Sequence, residues 1–600
     1  MTPAKRRGVT VLASLTLATT ALGGTVAAQS PSAVAPAGSP TTGGTIVMGE
    51  WQPAAQFNPF FTNAFTDTEA FTPVLHGLYT IDNDGNWVSD LGTDVPTVEN
   101  GLLVPGKTAD DGFTVKLGLK PGLLWSDGTP LTLNDFKFNY DLALKIAQAN
   151  IGCTTCAVTA PLIDTSLTGD ALYAPENQFV KSIKVSDDGL TADVTFRQNY
   201  AGWLGWAAGP FLQEKFFKDL PVDQALVNLM AVGSDSLLTV PVNGPFIVTA
   251  SSSDGIDYAR NPNWKAGPPA NLDTLRFRFY GSKDGEITAF LNNEIDLALD
   301  LSQADYAAIQ GVDPSIGRAT SDPAWQYEHL DLNTSHPGLN DPIVRQAIAM
   351  AIDKQDLISV LFPGQDLTPA CSQAPPGTWW RDESVQCPAF DPTAAAKLLD
   401  DNGWVVNPDT GIREKKVDGT VVPLRFKMCT SSGNPTRLTT LGKINQYLNA
   451  IGIPTDIETA DAGSVFFASY ADTTDQTSCS LYRGTYDIGL FAYIIGGDLY
   501  GNYYYTYDSS QVPPTGNNDT RISDKSLDDS LTALGKEIDQ AAQKKAAATM
   551  QQWLAKALPE IPLYYRAETT GIGNHLGGWT KYNPSSAGPT WNAETWYVNP

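Results

Sequence analysis

The chain has 600 residues, 42% of them hydrophobic and 17% charged, more than one core usually supports, so at least two domains are expected. Its 39 basic and 65 acidic side chains leave a net charge of −26. This excludes a nucleic-acid partner, because phosphate binding needs a basic face.

The N-terminus reads as a targeting segment. Lys5, Arg6 and Arg7 precede a mostly apolar run over 9–22 that is short for a membrane span, and Val26-Ala27-Ala28 offers small residues for cleavage. Residues 1–28 are therefore a signal peptide. Whether it is removed or kept as an anchor is left open. Residues 29–43, rich in Ser, Ala, Pro, Thr and Gly, form a flexible spacer. A lipobox cysteine is missing, since the first cysteine is Cys153. The expected location is exported, periplasmic or on the cell-envelope exterior. No other stretch is apolar and long enough to span a membrane.

A short strand over 45–49 leads into Asn58-Pro59 and a segment ending Gly77-Leu78-Tyr79. Residues 81–87 read as strand around an Asn-Asp-Gly turn. Val115, Leu117 and Leu119 alternate as a strand, Asp127-Gly128 turns the chain, and Thr132 with Asp135 forms a capping arrangement. These two aspartates are turn and cap residues rather than a catalytic carboxylate pair. Residues 183–196 are a hairpin around Asp-Asp-Gly.

The six cysteines suit export, and spacing does not fix their connectivity. Cys371–Cys387 is the favoured pair, stapling a Pro-rich loop. Cys429–Cys479 is a second candidate. The Cys153/Cys156 motif has no nearby histidine and reads as structural rather than zinc-binding or redox-active. The four histidines, His76, His329, His336 and His575, form no ligand-spaced cluster. No G-x-S-x-G or H-E-x-x-H is present. No catalytic residue, metal or cofactor is therefore expected.

Residues 327–362 are the most patterned stretch. Leu330 and Leu332 alternate with His329, Asp331 and Asn333 as a strand. After a polar loop, Asp341 stands at an N-cap with Pro342 at the first helical position. Val344, Ala347, Ile348 and Ala351 recur at helical spacing, with Arg345 and Gln346 on the other side. Asp353 is positioned to cap a second helix.

The run LDLNTSHPGLNDPIVRQAIAMAID resembles the hallmark segment of the bacterial extracellular solute-binding proteins of family 5, which include oligopeptide- and dipeptide-binding proteins of ABC importers. GFTVKLGLKPGLLWSDGTPLTLND, FLNNEIDL, the segment from Asp391-Pro392 to Gly403-Trp404 and IPLYYR are similar to further motifs of that family, in the same order. Residues 150–179 match poorly and read as an insertion. The resemblance implies an α/β, periplasmic-binding-protein-like fold of type II: two large lobes with a hinge and an extra smaller domain in the first lobe. The implied division gives lobe I to 44–82, 241–325 and 561–600. The extra domain takes 83–240, and the other large lobe takes 326–560.

The resemblance also implies a ligand site. Residues just past Asn58-Pro59 contact ligand in the family, which makes Asn63 and Phe65 cleft candidates, with Phe65 equally readable as core. Oligopeptide binders place an aspartate after a strand here to meet the peptide ammonium, and Asp498 stands at that position in a Gly-rich loop. The tryptophan that precedes it in the family is replaced by Ile494 and Ile495, with Tyr493 adjacent. Tyr503, with Tyr504 and Tyr505, either walls a pocket or packs beneath the loop. The implied function is a non-enzymatic, monomeric receptor that captures a peptide and delivers it to ABC permease subunits. The same fold holding an oligosaccharide or other small solute is the alternative, and a secreted hydrolase is the more distant one.

Overall fold

The computed structural model describes residues 40–600 apart from 63–64, 109–110, 150–177, 302, 312, 366, 462–464, 468–478, 514–515 and 586. Asn63, Cys153, Cys156 and the N-terminal segment fall outside the described residues. Among the described residues, no helix is long and apolar enough to cross a membrane.

One ten-stranded mixed sheet organises the chain. Across it lie Thr455–Ala460, Phe426–Ser431, Ile488–Ile494, Gly317–Leu332, Glu560–Gly573, Leu297–Leu301, Thr45–Glu50, Thr274–Phe279, Gly255–Arg260 and Phe246–Ser252. The strands interleave with helices, as an α/β fold requires. A separate four-stranded sheet, Leu103–Pro105, Phe113–Gly118, Thr191–Phe196 and Val180–Val185, carries the extra region.

The centre of the large sheet is the antiparallel pair Gly317–Leu332 and Glu560–Gly573. These strands of 16 and 14 residues are long enough to serve two cores. Their pairing runs from Gly317 opposite Gly573 to Asp331 opposite Glu560, with a register break between Pro323 and Tyr327. Proline has no N–H to give the ladder, so a break there is where the pair is least stiff. On one side of the break, Ile46, Phe277, Leu297, Leu299 and Ile572 share a core with Leu142, Leu212 and Leu237. On the other, Leu330, Leu332, Val344, Ile348 and Phe426 share a second. Phe113, Val115, Trp125 and Val194 centre a third.

The 327–362 stretch folds as its pattern indicates. Asp341 caps Pro342–Ala351 by accepting from the Ile343 N–H at 2.9 Å, and Asp353 caps Lys354–Leu361 through the Asp356 N–H at 2.9 Å. Val344, Ala347, Ile348 and Ala351 are fully buried, each Val or Ile gaining about 1.5–3 kcal/mol by leaving water. Arg345 departs from its expected solvent face. It is buried, donating from Nε to the Ala557 carbonyl at 2.9 Å and from Nη1 to the Leu339 carbonyl at 2.8 Å. Helical spacing marks the apolar stripe but not a cation that finds backbone carbonyls at its edge.

Disulfides join Cys371 to Cys387 and Cys429 to Cys479. The first closes a loop of sequence separation 16, and replacing both its cysteines by serine is expected to cost about 3 kcal/mol by restoring freedom to the unfolded chain. Urea denaturation of the Cys371→Ser/Cys387→Ser variant checks this; an unchanged midpoint would show the loop to be held by packing alone.

Candidate functional site

A cavity of about 490 Å³ opens where three parts of the chain meet. Thr68 and Phe71 of the Phe65–Phe71 helix form one side. Phe136, Tyr200 and Trp206 of the extra region form another, and the Gly496-Gly497-Asp498 turn reaches in from beyond the central strands. The lining is mostly apolar, with Trp87 and Trp591 adding flat aromatic surface, as small-molecule sites commonly are. Two glycines allow close approaches here: at Gly77 a side chain would strike backbone, and at Gly497 the neighbouring side chains would have to give. A Cβ on Gly77 would stand 1.9 Å from the Ala208 carbonyl oxygen, and one on Gly497 would meet Ile81 Cδ1 at 3.0 Å and Trp87 Cζ2 at 3.4 Å. The loop carrying Asp498 can thus come close to the Trp87 wall.

Among the described residues the lining holds two carboxyls, Asp90 and Asp498, and one imidazole, His76, with no lysine or arginine. Asp90 is engaged: its Oδ2 lies 2.8 Å from His76 Nδ1. Burial alone would lower the His76 pKa, but the Asp90 carboxylate outweighs it and the net shift is upward. Asp498 has no such cation among the described residues. It occupies the N-cap position of the Leu499–Tyr507 helix, yet its side chain, which faces the Tyr500 and Gly501 N–H groups, does not make a well-aligned capping hydrogen bond. Asp341, Asp353 and Asp391 all do so at equivalent positions. Burial pushes its carboxyl above the ordinary range, with the Gly501 and Tyr500 N–H groups opposing. The site therefore presents an apolar, aromatic volume with one unneutralised acid.

The other sequence candidates lie elsewhere. The segment expected as a loop around Tyr503 is helical, because Leu499, Tyr503 and Tyr507 recur at i, i+4, i+8 and bury one face. Tyr503 is thereby turned into a core with Trp325, Trp380 and Leu531 rather than into the cavity lining. Tyr493 stacks on His329, ring centroids 4.6 Å apart, under that helix. Phe65 begins its helix 41% exposed, so it is neither core nor part of the cavity lining. Ile494, at the family's tryptophan position, is 71% exposed. Trp87 and Trp591 were not singled out by sequence, since nothing local marks a tryptophan as cavity wall.

A second group of acids lies at the carboxyl ends of the parallel strands Thr45–Glu50 and Leu297–Leu301, the crevice that open α/β sheets use for ligands. Burial raises Glu50 and Glu69 well above the carboxylate range, each helped by the other acids of the group. Glu286 is pushed to about 8 and Glu568 to about 7, burial being the main cause in both. Lys283 and Arg566 offset part of this charge. Lys283 also pairs with Asp300 at 3.0 Å.

Comparison with known proteins agrees with this architecture. The chain is 27% identical over 358 residues to di/tripeptide-binding protein 2 of Pseudomonas aeruginosa, covering 59% of this chain and 61% of that one. It thus spans about three-fifths of that relative's length. It is 22% identical over 548 residues to the glutathione-binding protein GsiB of Salmonella paratyphi A, covering 87% of this chain and 89% of that one. Among solved structures, the substrate-binding protein CtaP of Listeria monocytogenes superposes with a TM-score of 0.73 at 18% identity, over 93% of this chain and 100% of the other. The oligopeptide-binding protein of Thermus thermophilus in complex with a pentapeptide gives 0.63 at 20% identity, over 92% and 96%. Two cores sharing one long strand pair, with a cavity reached from both, are thus found in a known fold. Residues 97–513 match the model described as the middle part of the bacterial extracellular solute-binding proteins of family 5, and the chain belongs to that family.

Proposed function

We propose that the protein is the extracytoplasmic receptor of an ABC importer, a monomer that captures short peptides with a free amino terminus and delivers them to the membrane permease. The observation that carries this reading is the charge balance of the cavity. Among the described residues its one acid without a cation is Asp498, set among aromatic walls. A peptide supplies the missing ammonium and apolar side chains together, and a buried charge must be met by its opposite. The relatives named above for di/tripeptides and glutathione bind ligands of that chemistry. Capture needs no covalent step. Affinity comes from burial, aromatic contact and a few polar groups.

On this reading the lobes are 44–82 with 241–325 and 561–600, and 326–560 opposite, with 83–240 as the extra domain. Closure bends the central strand pair near Pro323–Tyr327, and the closed form is what the permease recognises. The 1–28 segment directs export and 29–43 is the spacer.

Calorimetric titration with defined di-, tri- and pentapeptides, beside maltooligosaccharides, tests the ligand. Small-angle scattering tests closure: the radius of gyration is expected to fall on saturation with a binding peptide. Peptides that leave both heat and scattering unchanged, while a sugar changes both, would replace this reading with the oligosaccharide one.

A further inference from the structure

We propose that His329, Asp331 and Glu560 form a structural binding site for one divalent transition-metal ion of the zinc class, separate from the cavity of Asp498. His329 and Asp331 are two apart in the Gly317–Leu332 strand and so share a face. Glu560 is the direct cross-strand partner of Asp331. All three side chains are completely buried, and one ligand atom of each lies within 4.8 Å of the others. His329 Nε2 and Asp331 Oδ1 are 3.3 Å apart but not aligned as a hydrogen bond.

This face departs from what such a layer should hold. Leu330 and Leu332, on the opposite face of the same strand, pack into an apolar core. The Leu499–Tyr507 helix covers the His329 side with Tyr503 and Tyr507, so an apolar sandwich would be the ordinary solution. Instead, among the described residues, neither oxygen of Asp331 has a hydrogen-bond partner and neither ring nitrogen of His329 has a well-aligned one. A buried carboxyl in that state must either hold a proton or meet a cation. Among the described residues no lysine or arginine pairs with Asp331 or Glu560. Asp519, a further buried acid that interacts with Asp331, has Arg521 two residues on, but that side chain donates to the Leu481 and Tyr482 carbonyls. A doubly charged ion balances two carboxylates and leaves the imidazole neutral, as a ligand must be.

The donor set selects the metal. One imidazole with two carboxylates suits zinc and its neighbours, whereas magnesium and calcium prefer oxygen alone. The outer contacts are those that hold ligands in place. Tyr327 Oη donates to Glu560 Oε1 at 3.1 Å. Tyr493 stacks on the His329 ring and Phe491 meets its edge at 4.4 Å. Such partners fix the orientation of a ligating group. Full burial means the ion enters during folding and exchanges slowly, tying together the two central strands on the 326–560 side.

The test uses the full chain without a polyhistidine tag, purified from zinc-supplemented cells. Elemental analysis is expected to find about one zinc per chain, held by the three side chains with its fourth position left to water. Protein refolded in chelator should melt at lower temperature, recover with zinc chloride and not with magnesium chloride. Cobalt(II) loading should give the visible absorption of a low-symmetry nitrogen–oxygen site. Glu560→Gln and His329→Gln should each lose the bound equivalent. No bound metal together with a melting temperature indifferent to zinc in the wild type would overturn the proposal without recourse to variants. Zinc retained in full by both folded variants would place it elsewhere and overturn the proposal equally.

Discussion

Asp498→Asn is expected to weaken binding of a peptide with a free amino terminus by about 2–5 kcal/mol, the usual cost of truncating one member of a buried charge pair. The substitution keeps the shape of the side chain and removes its charge. Asparagine keeps an oxygen facing the Tyr500 and Gly501 N–H groups, so the helix it precedes loses little. Burial already disfavours its ionised form in the free protein, so the melting temperature without ligand should hold or rise slightly. An aspartate that served only as a cap would show unchanged affinity and almost unchanged stability, because asparagine caps about as well as aspartate. The cross-check is a peptide whose amino group is acetylated. Wild type should bind it far more weakly than the free peptide, whereas Asp498→Asn should scarcely distinguish the two. Calorimetry on the four combinations isolates the pair energy. Equal affinities of both proteins for the free peptide would remove Asp498 from the site.

How much of this site could be read from sequence depends on the range of the signals. The caps of the 342–361 helices are local, and Asp341 and Asp353 do what their spacing indicates. Asp498 was found through resemblance, and the structure brings it to the cavity lining. Its neighbours were harder. Trp87, Trp206 and Trp591 belong to separate segments, and only the fold sets them around one space. Tyr503 reads from sequence as either pocket wall or packing beneath the loop, and the i, i+4 relation to Leu499 and Tyr507 turns it inward. His329 and Asp331 read as the polar half of an alternating strand. Alternation assigns them a solvent face, but that face is covered by a helix and joined by Glu560 through strand register. Pairing across distant strands is the information a single sequence lacks.

Ligand-free protein is expected to lose stability as pH rises from 5 to 8, and Glu286→Gln should flatten the curve. Glu286 is completely buried, with Oε1 accepting from the Leu299 N–H at 2.8 Å and Oε2 without a partner. Burial raises its pKa from 4.5 to about 8. Glu568, half-shared with Gln326 at 3.2 Å, rises from 4.5 to about 7, also through burial. Both folded values lie above the unfolded ones. Their stabilising contribution is therefore full below the unfolded pKa and is lost as pH climbs through the folded values. Between the two limits each group costs about 1.4 kcal/mol per pH unit. Lys354 works against this trend above neutrality, since burial lowers its pKa to about 7 and charging it in the native state becomes unnecessary as pH rises. The difference between wild type and Glu286→Gln removes this contribution, because Lys354 does not belong to the acid group around Glu286. Glutamine keeps the acceptor for Leu299 and has no proton to release, so its melting temperature should be the higher at pH 8 and the gap should close by pH 5. Parallel curves across that range would show that Glu286 is ionised in the native state throughout, with Lys283 sufficient to hold its charge.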